Sequence, residues 1–190
     1  MTRGAQNLAG AASAGESVDL VASVMLALRG VADPEIPVLD VVEMGIVRDV
    51  RLQPGPPGPR VMVTITPTFS ACPAIHEIEN GVRRAAQAAV DAFQAGRDEE
   101  ALGVEVVTEL YPPWSSDDMS QAARDKLERF GIAPAPHHGG LIELALEAPV
   151  RCPRCGHPDT RLRNPFGSTL CREIRTCSAC QETFERFKPL

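Results

Sequence analysis

VMVTITPTFSACPAIHEI, residues 61–78, decides the fold. Five of its first six residues are β-branched, and the run reads as a strand. A loop follows, and from Pro73 the apolar residues change to a helical spacing. Ile75, Ile78, Val82, Ala85, Ala89 and Phe93 make one face of a helix that ends near Gly96. Cys72 sits alone where the loop meets this helix. The other five cysteines, Cys152, Cys155, Cys171, Cys177 and Cys180, fall in the last forty residues.

Proline is favoured at the first position of a helix, which predicts Pro73 there and Cys72 as the cap. A sulfur in that place faces unpaired N–H groups and the positive end of the helix dipole. Both favour thiolate and predict a pKa below the free value of about 8.5. A thiolate is a nucleophile and a soft metal ligand. The plain alternative is a small buried residue that happens to precede proline.

Toward the N-terminus, QPGPPGPR (53–60) is a loop. It joins the strand to an earlier one over 45–52, which predicts a hairpin with a Pro-stiffened tip. Pro34 and Pro37 exclude an ordinary helix over DPEIP (33–37). Asp33 and Glu35 there could hold a hard cation or orient a nearby thiol, or simply be a charged surface turn. Ser17 can cap a helix over 17–29, with Val21, Val24, Met25 and Leu28 on one face and Gly30 as its stop. Toward the C-terminus, GVEVVTEL (103–110) is a third strand and YPPW breaks it. A short helix then runs from a Ser120 cap to Gly131. IAPAPHHGG (132–140) reads as a linker, and LIELALE (141–147) could be a strand.

The order gives an α+β chain. A tail over 1–16 precedes a small αββαβα domain over 17–133, a linker over 134–140 and a cysteine module over 141–190. In the last of these, CPRC (Cys152, Cys155) and CSAC (Cys177, Cys180) make two tight loops, each aiming two sulfurs at one place. Together they predict a tetrahedral S₄ cage. The 21 residues between the pairs slightly exceed the usual ribbon spacing. About forty residues cannot bury enough apolar surface to fold alone, and a structural zinc ion supplies roughly 10–16 kcal/mol in small fingers. An Fe–S cluster or a single iron on the same sulfurs is the alternative, with dithiol redox chemistry behind it. Cys171 reads as a free core cysteine or as an exchange ligand for an Fe–S centre, and His157 as a surface histidine.

Composition restricts the partners. The net charge is −6, which argues against a whole-chain nucleic-acid binder. Residues 151–190 hold eight Lys or Arg against four Asp or Glu, so the tail is basic and the remainder acidic. No stretch approaches the roughly 20 apolar residues of a membrane span. The Ala/Gly-rich start lacks the unbroken apolar run of a signal peptide. These features predict a cytoplasmic protein with reduced thiols.

DPEIPVLDVVEMGIV (33–47), TPTFSACPAI (66–75) and YPPWSSDDMSQAARDKLERFGIAPAP (111–136) resemble, in order, the iron–sulfur assembly domain family. The tail CPRCGHPDTRLRNPFGSTLCREIRTCSACQETFERFKPL (152–190) is similar to one branch, the accessory D subunits (PaaD) of phenylacetyl-CoA epoxidase systems. The match spans about 18–190. It implies an iron–sulfur-assembly-type domain with a C-terminal zinc ribbon, and a role in metallocentre maturation in phenylacetate degradation. The protein would be a non-catalytic accessory subunit of a multicomponent oxygenase, without turnover of its own. Its clients would be the di-iron oxygenase or a ferredoxin-like reductase, and a homodimer is left open. By the resemblance Cys72 is the reactive thiolate or transient metal ligand, Asp33 and Glu35 form the acidic turn beside it, and Thr66 and Trp114 lie in supporting loops.

Two other readings compete. One is a zinc ribbon that binds nucleic acid or protein and delivers no metal. The other is a thiol enzyme in which His76, one helical turn beyond Cys72, acts as base.

Overall fold

The computed structural model describes residues 14–55, 58–97, 101–137 and 149–190. Most of the expected tail, His138 and the expected strand over 141–147 lie outside these residues. Helix α1 (Ala14–Leu28) is followed by strands β1 (Val47–Gln53) and β2 (Arg60–Ile65), helix α2 (Ile75–Gln94) and strand β3 (Gly103–Thr108). Helix α3 (Gln121–Phe130) and strand β4 (Ile132–Ala133) come next. Three strands complete the chain: β5 (Thr160–Asn164), β6 (Arg172–Cys177) and β7 (Thr183–Phe187). The architecture is α+β, and the predicted αββαβα order holds.

The first sheet has the order β1-β2-β3. β1 and β2 form the predicted antiparallel hairpin, while β2 and β3 run parallel, Val63 opposite Val106. A parallel pair needs a crossover, and α2 supplies it. The buried face of this helix is Ile78, Val82, Ala86 and Val90, rotated from the stripe read from sequence, of which Ile75, Ala85, Ala89 and Phe93 are only partly buried against the core. Leu20, Val24 and Leu28 of α1 enter the same aliphatic core. Burial of such side chains contributes about 1.5–3 kcal/mol each.

The second sheet has the order β4-β7-β6-β5. The surprise is its first member. β4 follows α3 in the assembly-type domain, yet it pairs in parallel with β7 of the cysteine module, Ile132 opposite Glu185. Residues 132–133 therefore act as a sheet edge for the ribbon. The expected linker begins in contact as well. Ala135 is buried, and its carbonyl accepts from Arg124 Nη1.

Further contacts seal the seam. The Trp114 and Phe187 rings lie 5.6 Å apart. The Leu190 carbonyl accepts from Ser116 N at 3.1 Å and from Ser115 Oγ at 3.0 Å. Cys171 belongs to the hydrophobic cluster of the first domain, not to that of the ribbon.

Candidate metal sites at the seam

The four-cysteine cage forms as predicted. Each CxxC turn closes with a backbone bond, Gly156 N to the Cys152 carbonyl at 2.8 Å and Gln181 N to the Cys177 carbonyl at 3.1 Å. Gly156 and Gln181 then turn the chain with positive φ, 73° and 61°. The sulfurs of Cys152, Cys155, Cys177 and Cys180 all lie within 4.8 Å of one another. Cys152 to Cys180 is 3.7 Å and Cys155 to Cys177 is 3.6 Å. Four thiolates at the Zn–S length of about 2.3 Å would stand about 3.8 Å apart, so the donors fit one tetrahedral ion.

The N–H groups of Cys180 and Ala179 lower the Cys177 thiol to about 7, helped by the Cys155 and Cys180 sulfurs. At Cys155 the His157 N–H pulls down, but the neighbouring sulfurs and burial outweigh it and push that thiol up to about 12. Such mutual opposition is what a shared cation relieves. His157 is exposed and outside the cage, as expected.

The second sulfur site is built differently. Asp33 is buried in the turn after α1, where its Oδ1 accepts from Glu35 N at 2.8 Å and Ile36 N at 2.7 Å. The two prolines hold that turn open and keep it from continuing as helix. Glu35 is half-buried. Cys72, also half-buried, follows the loop that leaves the end of β2.

The cap prediction needs correcting. α2 begins at Ile75 with Ala74 as its N-cap, so Pro73 precedes the helix and Cys72 precedes the cap. The N–H groups of Ala74 and Ile75 do face the Cys72 sulfur.

The predicted low pKa is also overturned. Burial raises the Cys72 thiol most, the Ala74 N–H opposes it, and the Glu35 and Asp33 carboxylates raise it further. The local helix signal is present, but desolvation and negative neighbours exceed it. Without a cation, Cys72 is a protonated thiol at neutral pH. Asp33 is raised chiefly by burial, against the N–H groups of Glu35 and Ile36 and the Arg172 guanidinium. Glu35 is raised by burial and by Asp33, with Arg172 opposing.

Other expected residues take distinct places. Thr66 is buried at the end of β2, and its hydroxyl has no hydrogen-bond partner among the described residues. Trp114 is engaged in the seam, its indole N–H donating to the Met44 carbonyl at 2.9 Å. His76 is exposed and faces Glu79 at 3.3 Å, so the Cys–His pair of the enzyme reading is not formed. The basic tail is partly internal. Arg175 and Arg186 are buried on Glu173 at 2.7 and 3.1 Å, and Arg172 is buried on Glu185 at 2.7 Å. This leaves less positive surface for a nucleic acid than the sequence count suggested.

Sequence reasoning missed Arg172 and the place of Cys171. Both sit on the seam, where Arg172 acts on Asp33 and Glu35, and both carboxylates act on Cys171. The only local clue was the compact FGSTLC run just before β6.

Residues 22–101 match the family model of the iron-sulfur cluster assembly protein, and residues 139–188 match that of the PaaD zinc beta ribbon domain. The chain is 37% identical over 161 residues to the D subunit of the putative 1,2-phenylacetyl-CoA epoxidase of Escherichia coli K12, covering 85% of this chain and 88% of that protein. Two solved structures are also similar. One is a domain of unknown function from Bacillus anthracis, 26% identical, covering 60% of this chain and 97% of its own, with a TM-score of 0.48. The other is a Mycobacterium tuberculosis protein associated with Fe-S complex assembly and repair, 28% identical, covering 68% of this chain and 98% of its own, with a TM-score of 0.33.

Proposed function

The chain belongs to the family of the D subunit of the putative 1,2-phenylacetyl-CoA epoxidase, and from that premise we propose that it is an accessory maturation factor for metal centres of a phenylacetyl-CoA epoxidase system. Cys72 holds iron or an Fe–S unit transiently and passes it to a client, either the oxygenase or a ferredoxin-like reductase. The ribbon keeps a zinc ion permanently and serves as structure. Both acts take place in the cytoplasm. No described helix is long and apolar enough to cross a membrane.

One observation carries it. The molecule holds two unlike sulfur sites, a closed four-sulfur cage and a half-exposed thiol beside two carboxylates. The cage has no position left for an incoming ligand, so exchange belongs to Cys72. The raised thiol suits the task. A protonated sulfur does not bind stray cations tightly, and arrival of a metal displaces the proton and creates the ligand.

The test is iron loading of the client with wild-type protein and with Cys72→Ala, both purified anaerobically with metal analysis. The variant retains one zinc and its fold, and the client receives less iron. Normal client loading by Cys72→Ala refutes the reading.

A further inference from the structure

One edge of the ribbon sheet takes no part in holding metal. β5 ends the order β4-β7-β6-β5, so one side of it has no neighbouring strand among the described residues. A strand with one packed face buries alternate side chains. β5 does not. From Arg161 to Phe166 every residue is exposed, with Leu162 46% and Phe166 59% accessible. The ring of Phe166 is nevertheless held in place. Its backbone N–H donates to Asn164 Oδ1 at 3.0 Å, Pro165 stiffens the turn between them, and Lys188 Nζ lies 4.8 Å from the ring centre. A ring fixed without burial loses little freedom when a partner covers it.

Charge divides the arginines of the ribbon. Arg154 pairs with Glu182, Arg172 with Glu185, and Arg175 and Arg186 both with Glu173. Among the described residues no ion pair neutralises Arg161 or Arg163, and both are exposed. Charges and bulges also guard a free edge against aggregation. The register shift between Leu162 and Asn164 makes Arg163 such a bulge, opposite no residue of β6. A guard accounts for the arginines. It does not account for Leu162 and Phe166 beside them, because exposed apolar side chains on an edge work against protection.

We propose that Arg161–Phe166 is a docking surface for an extended acidic segment of a partner protein. Carboxylates of that segment pair with Arg161 and Arg163, and its apolar side chains cover Leu162 and Phe166. Its backbone bonds to the open edge of β5 ahead of the bulge. Arginine and aromatic residues are the side chains most enriched at such interfaces. A nucleic acid fits less well. Two unpaired arginines neutralise few phosphates, the chain as a whole carries −6, and a phosphate backbone makes no use of a strand edge. This role goes beyond maturation and stands whether or not Cys72 carries iron. It gives the ribbon a contact surface in addition to its structural metal.

The test uses the full chain with its ribbon filled with zinc, titrated with a short end-blocked peptide of alternating glutamate and valine. The peptide should bind saturably and shift the amide NMR signals of residues 160–166 while those of α2 stay in place. Arg161→Glu combined with Arg163→Glu should weaken binding by roughly tenfold or more, and Phe166→Ala by roughly fivefold. The same peptide with lysine in place of glutamate should not bind wild type. All three side chains are exposed, so the variants should keep their zinc and their circular dichroism. No saturable binding, or equal binding by the double variant, overturns the inference and leaves the arginines as a guard of the edge. Tighter binding of a single-stranded RNA of mixed sequence, lost in the same double variant, overturns it in favour of a nucleic acid. A wild-type dimer that the double variant makes monomeric overturns it in favour of a second copy of the chain.

Discussion

The ribbon cage and the Cys72 centre use the same element in opposite ways. In the cage, backbone turns bring four sulfurs within 4.8 Å of one another. At Cys72 the sulfur is half-exposed, next to carboxylates, and kept protonated mainly by burial. Four thiolates closed around one ion hold it tightly and release it slowly. A single thiol that must first lose its proton binds less tightly and releases more easily. Cysteine content alone therefore says little about whether a metal is retained or transferred. The spacing of the ligands and the charge around them decide.

The largest expected effect separates the two sites outright. Cys177→Ser, or removal of the ribbon metal by a chelator, withdraws a contribution on the order of 10 kcal/mol from a module that has little core of its own. Residues 149–190 should then become protease-sensitive while the first domain keeps its helical circular dichroism. A ribbon that stays resistant after metal loss would erase the distinction between a structural cage and a carrier.

Trp114→Ala comes next. It removes the ring packed on Phe187 and the indole bond to Met44. The expected cost is about 3–5 kcal/mol. If the seam couples the modules, denaturation of this variant should split into two transitions. A single unshifted transition would mean that the modules are coupled elsewhere.

The smallest effect is a gain. The Glu35 pKa lies above its unfolded value, so its contribution to stability is full below the unfolded pKa and is lost as pH rises through the folded one. At neutral pH its charge is a net cost. Glu35→Gln should raise the melting temperature at pH 7 slightly, because solvent screens much of the effect, and the gain should vanish as pH falls below about 4.3. A loss of stability at pH 7 would show that Glu35 is placed for the fold and not for a cation.

Legibility followed the range of the interactions. The strand-to-helix passage over 61–94 was readable, because β-branched residues and the Ile78–Val82 spacing report on neighbours close in the chain. The Ser120 cap and the Gly131 stop were readable for the same reason, and both appear as expected. The cage was readable from two short motifs. β4 was not, because two apolar residues between Gly131 and Pro134 carry no period. The Cys72 pKa failed instructively. The N–H groups that lower it come from Ala74 and Ile75, two and three residues away, while the carboxylates that raise it come from the turn at 33–35. The setting of Cys171 was not readable because the Asp33 and Glu35 carboxylates that act on it lie near the start of the first domain.

The pairing of β4 with β7 also bears on how the protein is made. As the ribosome releases the nascent chain, α1 through β4 emerge first, and β4 waits with an open edge for a strand translated much later. That strand can be presented only once its knuckles have captured metal. Scarcity of the ribbon ion would therefore stall the molecule with a finished first domain and an uncovered seam.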